Sequence, residues 1–139
     1  MKYRLISNIV EFKILENDWQ SLYEKNKKNT VFQSFEFNYF SWAYDLFNEK
    51  NTLAIVIAYD SDKIKAIFPF YIDKRNRLRF INDLNADFCD AVSIVDINFN
   101  EVIEVLTSSF KIRYFQLVNL KNESSLLDYS TINRCRVIS

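Results

Sequence analysis

The sequence predicts an α+β domain built on a mixed, mostly antiparallel sheet with flanking helices. An apolar run, "LAIVIAY", turns at "DSDK" and returns as "IKAIFPFYI", the pattern of an antiparallel hairpin. Helical periodicity appears before that hairpin in "FEFNYFSWAYDLF" and after it in "INFNEVIEVLTSSF". With 139 residues, no internal repeat and no Pro/Ser-rich linker, the chain suits a single domain over 1–139.

Taken in order, the elements begin with a strand near Lys2–Ile6 and a second expected over Val10–Leu15. A helix follows from about Asp18, a suitable N-cap, with Trp19 and Leu22 or Tyr23 on one face, and ends in "KNKKNT". Ser34 then caps a helix from Phe35 to about Phe47. At about 100° per residue, Phe35, Tyr39, Trp42 and Leu46 share one face, and Phe37, Phe40, Tyr44 and Phe47 an adjacent one. Only Asn38, Ser41 and Asp45 remain as a polar strip, so the helix is expected to be covered on two sides.

The hairpin strands come next, with Asp60, Ser61 and Asp62 making the turn, and Pro69 marks an edge or a bulge. "RLRFI" gives a strand in which Leu78 and Phe80 alternate with Arg77 and Arg79. "NDLNADFCD" is a loop, "AVSIV" a short strand, and the following helix turns Val102, Ile103, Val105 and Leu106 inward. "RYFQLVNL" is a strand, "ESSLLDYS" a short helix, and "RCRVIS" the last strand.

Composition excludes several functions. Eighteen basic and eighteen acidic residues cancel, so no long-range field draws the chain to nucleic acid or to an anionic membrane. The longest apolar run is far shorter than a membrane span, and the N-terminus has no signal-peptide core, which points to a cytoplasmic location. The absence of histidine removes Ser-His-Asp, Cys-His and His-ligated metal chemistry. The absence of glycine removes Gly-rich phosphate loops, leaving Asn and Asp to serve wherever φ must be positive. Cys89 and Cys135 are read as free thiols.

Four features hold chemically interesting residues. The aromatic segment Asn29–Phe47 has no Lys or Arg, so its rings read as core, with one or two at its N-terminal end left to line a cleft. Lys74, Arg75, Arg77 and Arg79 are open between a phosphate site and a solvated strand face, the latter favoured. In "NADFCD", Asp87 and Asp90 are placed on a loop at the end of a sheet, open between ligand binding and turn chemistry. Cys89, flanked by acids, has its thiolate disfavoured. Gln33 stands at the mouth of the aromatic helix.

The motifs "VFQSFEFNYFSWAYDLF", "KIKAIFPFYI", "LRFIND" and "ADFCD", in that order, resemble the N-terminal half of the Fem-like and CelD-like branch of the GNAT acyltransferase superfamily. Phe32, Ser34, Phe37, Pro69, Leu78, Arg79, Phe80, Asp87, Phe88 and Asp90 match that pattern. The resemblance implies a single GNAT-like domain that is the acceptor-side half of an N- or O-acyltransferase of polysaccharide or cell-wall biosynthesis. It implies that Gln33, Asp87 and Asp90 contact a sugar or amino-sugar acceptor. Acyl-CoA, or another acyl donor, is then expected only with a second, C-terminal half, and the chain itself holds no cofactor or metal. The alternative is a non-catalytic association domain on the same scaffold, acting as a homodimer.

Overall fold

The computed structural model describes residues 1–48, 50–120 and 126, and the backbone of a strand at 135–138. Strand β1 (Lys2–Ile6) leads into helices α1 (Ile9–Ile14) and α2 (Glu16–Lys25). A 3-10 turn (Val31–Gln33) precedes helix α3 (Phe35–Phe40), which continues as a π-helical turn (Ser41–Leu46). Strands β2 (Thr52–Asp60), β3 (Lys63–Ile72), β4 (Arg77–Phe80) and β5 (Val92–Ser93) follow. Helix α4 (Phe99–Ser109) and strands β6 (Tyr114–Val118) and β7 (Cys135–Ile138) complete the order. The expected helix in "ESSLLDYS" lies outside the described residues except for Leu126, which is buried.

The sheet runs β1-β2-β3-β4-β6-β7, with β5 pairing β3. The first four strands form an antiparallel array, and β4–β6 and β6–β7 are parallel. That is the mixed, mostly antiparallel α+β sheet the sequence predicts. β2 is buried on both faces, which explains its continuous rather than alternating apolar run. One core lies between Ala54, Val56, Phe68, Phe70, Leu78 and Phe80 on the sheet and Phe99, Val102 and Leu106 of α4. The other packs Leu53, Ile55, Ile57, Ile67 and Tyr71 against Phe12, Trp19, Phe35 and Trp42 from α1, α2, α3 and the π-helical turn.

Of residues 10–15, expected as a strand, 10–14 are helical and Leu15 is the turn that joins α1 to α2. Asn8 caps α1, its Oδ1 accepting from Glu11 N–H at 2.9 Å while its Nδ2 donates to Glu11 Oε1 at 3.1 Å. A strand would place Val10, Phe12 and Ile14 on one face. The helix instead buries Phe12 and Leu15 and leaves Val10 and Ile14 exposed. Asp18 is not a cap but lies in the first turn of α2, which follows α1 directly through Leu15.

The hairpin turn is made without glycine, Ser61 and Asp62 taking φ of 51° and 65°. The irregularity in β2–β3 falls between Ala58 and Tyr59, not at Pro69. Pro69 sits opposite Ile55, and on its other side its carbonyl accepts from Ile81 N–H at 2.9 Å. In an antiparallel ladder that position would also donate, and proline has no N–H to give. β4 therefore ends at Phe80, and the chain departs into the loop that carries Asp87 and Asp90.

Candidate functional site

The loop between β4 and β5 is tied to the mouth of the aromatic helix by side-chain amides. Gln33 is buried; its Oε1 accepts from the N–H and Oγ1 of Thr30 at 2.8 and 2.9 Å, closing a capping box around the 3-10 turn. Its Nε2 donates to the carbonyl of Phe88 at 3.1 Å. Asn82 Nδ2 donates to the Phe32 carbonyl at 2.6 Å, and Asn38 Nδ2 to the carbonyls of Phe32 and Ser34 at 3.1 and 2.8 Å. From the other end, Asn119, at φ 55°, accepts through its carbonyl from Cys89 N–H at 2.8 Å and donates through Nδ2 to the Ala86 carbonyl at 3.2 Å. Gln33 and Asn119 thus supply partners for the backbone of a glycine-free loop. Asn82 ties the loop's start to the Phe32 carbonyl, and Asn38 braces that same carbonyl from within the aromatic helix.

The three residues singled out from sequence occupy different settings. Gln33 holds the loop from beneath. Asp87 is exposed on it. Asp90, half-buried, accepts from Ala91 N–H at 2.9 Å and lines a polar cleft of about 510 Å³. That cleft lies between the end of α2, with Asn26 and Lys28, and the segment containing Ser93 and Asp96, over the ring of Phe68. Asn26 Nδ2 pins the two walls together by donating to the Ser93 carbonyl at 3.1 Å. Gln33 and Asp87 do not line it.

Cys89 lies buried beneath the same loop, its thiol 3.7 Å from Asn82 Oδ1. Burial, then the carboxylates of Asp83 and Asp90, push its pKa up to about 12, so the thiol stays protonated and unreactive.

The basic run divides between a solvated turn, as favoured from sequence, and a strand whose arginines are not on a solvated face. Lys74 and Arg75 are exposed, but Arg77 and Arg79 are spent on internal carboxylates. Arg77 Nε lies 2.6 Å from Asp73 Oδ2, and its Nη1 donates to Gln116 Oε1 on β6 at 3.1 Å. Arg79 grips Asp83 with two bonds, of 2.7 and 3.0 Å, and its guanidinium lies over the Tyr71 ring at 5.6 Å. Burial works against the charge of Asp73, yet N–H and guanidinium bonds from Arg77, and the N–H of Arg75, hold its pKa below the usual carboxylate value. At Asp83 burial wins over Arg79 and the pKa is raised.

The aromatic helix departs most from expectation. Ser34 caps it, accepting from Phe37 N–H at 3.2 Å, and Phe35, Trp42 and Leu46 are buried as predicted. The second ring face is not covered: Phe40, Tyr44 and Phe47 are 51%, 79% and 63% exposed. Asn38 and Ser41, expected in the polar strip, are buried instead, held by carbonyls of the preceding turn. The π-helical turn changes the angular step after Phe40, which a uniform 100° wheel does not anticipate. An apolar cleft of about 740 Å³ results, lined by Tyr23, Val31, Phe37, Phe40 and Tyr44 with Glu36, Asp45 and Asn85 at its margins. Phe37 is the ring near the N-terminal end that the sequence left free to line a cleft.

Among the described residues no group of three or more acidic or cysteine side chains is placed to hold a metal ion, and no helix is long and apolar enough to cross a membrane. Comparison with family models, curated proteins and solved structures gives no match to this chain.

Proposed function

We propose that this chain is the acceptor-side half of a GNAT-like N- or O-acyltransferase of polysaccharide or cell-wall biosynthesis, inactive until a second half or partner chain supplies the acyl donor. The observation that carries the reading is the polar cleft holding Asp90: a partly desolvated carboxylate beside lysines, an amide, a hydroxyl and the Phe68 ring. Such a mixture suits an acceptor rich in hydroxyl and amino groups, bound by a few polar contacts over an apolar floor. Asp90 orients the acceptor amine or hydroxyl, and Asp87, exposed on the same loop, meets whatever part of it extends outward. Gln33 is a positioning residue that acts through the Phe88 carbonyl. The donor is assigned to the second half because a chain without glycine offers no loop whose backbone can wrap a diphosphate.

The test is titration followed by amide NMR and by thermal midpoint. Glucosamine or a short glucosamine oligomer is expected to shift amides around Asn26, Asp90 and Ser93, with Asp90→Ala weakening binding about tenfold. Acetyl-CoA is expected to leave the midpoint of this chain unmoved. A rise in midpoint with acetyl-CoA alone would place the donor site here and overturn the half-enzyme reading.

A second reading, a non-catalytic association domain forming a homodimer, is favoured by one observation. Val31, Phe40, Tyr44, Phe47 and Leu84 are all more than half exposed. Light scattering across a range of concentrations checks it, a constant monomer mass counting against it.

A further inference from the structure

We propose that the aromatic cleft on α3 and its π-helical turn binds a small organic cation, an ammonium group carried on an apolar body. The inference does not rest on the acceptor-site reading above, since this cleft and the one holding Asp90 share no lining residue. It competes with the homodimer reading for Val31, Phe40 and Tyr44.

Shape comes first. At about 740 Å³ the cleft falls within the size range of small-molecule sites. Its floor is aromatic: Phe40 and Tyr44 stack at 5.7 Å and 23°, both more than half exposed, with Phe37 and Tyr23 alongside. Such rings add little to folding while they face water, and they offer electron-rich faces to a cation. Charge comes second. Glu36 and Asp45 line the cleft, and among its described lining residues there is no lysine or arginine. Glu36, Phe40 and Tyr44 recur at intervals of four, as do Phe37, Ser41 and Asp45, so the carboxylates stand at opposite ends of the ring-lined trough. Both carboxylates are exposed, and the negative potential they set over the trough favours a cationic occupant over a neutral one and repels an anionic one. An ammonium ion satisfies both the rings and the acids. The molecule already shows this preference on the neighbouring face, where the Lys13 ammonium, bound to Glu16, lies 5.3 Å from the centre of the Tyr39 ring and 5.6 Å from that of Phe35.

The experiment compares choline with its uncharged isostere 3,3-dimethyl-1-butanol, by amide NMR on the full chain. Choline is expected to shift the amides of Phe37, Phe40, Tyr44 and Asp45, with the isostere about tenfold weaker. Benzyltrimethylammonium, with a larger apolar body, is expected to bind more tightly than choline. Glu36→Gln with Asp45→Asn, both on exposed side chains, is expected to reduce choline binding about tenfold while leaving the thermal midpoint in place. Tyr44→Leu, which keeps an apolar contact but removes the ring, is expected to weaken choline more than the isostere. Equal binding of the two ligands, shifts that map elsewhere, or no binding at millimolar choline overturns the proposal. So does a concentration-dependent dimer that buries Phe40 and Tyr44, which would give the cleft to a second copy.

Discussion

Asp83 keeps only 1% of its side chain exposed, and Arg79 meets it there with two bonds from one guanidinium. Pairs of this kind are costly to break from one side. Arg79→Met is expected to destabilise the fold by about 3 kcal/mol, and Arg79→Met with Asp83→Leu by much less. The folded pKa of Asp83 is already raised, so this carboxylate subtracts stability as pH rises through its range. The deficit of the single variant should therefore shrink in acid, read as a denaturant midpoint at two pH values. Cys89 extends the same reasoning to alkali. Its folded pKa of about 12 exceeds the ordinary 9.0, so the native state holds this proton where the unfolded chain releases it. Tyr3, pushed up to about 12 by burial and by Glu101, has the same sign. For Cys89 this stability is complete below about pH 9 and declines as pH rises toward 12, by up to about 1.4 kcal/mol per pH unit. The more exposed Tyr3 adds less, because solvent screens its charge. In a Cys135→Ser background, Cys89→Ala is expected to flatten that decline, and the Cys89 thiol should resist alkylation until the protein unfolds.

At the scale of elements, α3 and its π-helical continuation divide into two unequal faces. Trp42, 4% exposed and packed against Tyr71, is expected to cost about 3–5 kcal/mol when cut to alanine. Tyr44→Ala, on the open face, is expected to stay within about 0.5 kcal/mol. Thermal or urea unfolding of the two variants separates the faces directly. The sequence displays this helix clearly through Ser34 and the spacing of Phe35, Trp42 and Leu46. It hides the change of helical step, because no side chain in "SWAYDLF" announces a π turn. The Asn8 cap is a legible signal, but the apolar alternation of Val10, Phe12 and Ile14 competes with it and favours a strand. The hairpin of β2 and β3 is legible from its runs and its Asp-Ser-Asp turn. The straps on the Asp loop are not, since Asn82 and Asn119 look like ordinary turn formers until the fold brings them to their carbonyls. The sequence places Gln33 at a helix mouth, and the structure gives it the work of a tether.

Across the whole molecule, β2 and β3 lie at the centre, pairing along nearly their whole lengths and buried on both faces. Their amides are expected to exchange with solvent last, near the global unfolding limit, while those of the loop before β5 exchange early through local opening. Hydrogen-exchange mass spectrometry resolves the two classes. The two cores behind this pattern draw on different chain segments, α4 filling one side and α1, α2 and α3 the other. Between them stands Pro69. With any other amino acid there, a reciprocal bond to the Ile81 carbonyl could form and the rung pairing β3 to β4 would be complete. β4 could then run one residue further in the same register, to Ile81, before the chain turns at residues 82–86. One missing hydrogen thus coincides with the point at which the chain leaves the sheet for the loop that carries the acids at 87 and 90.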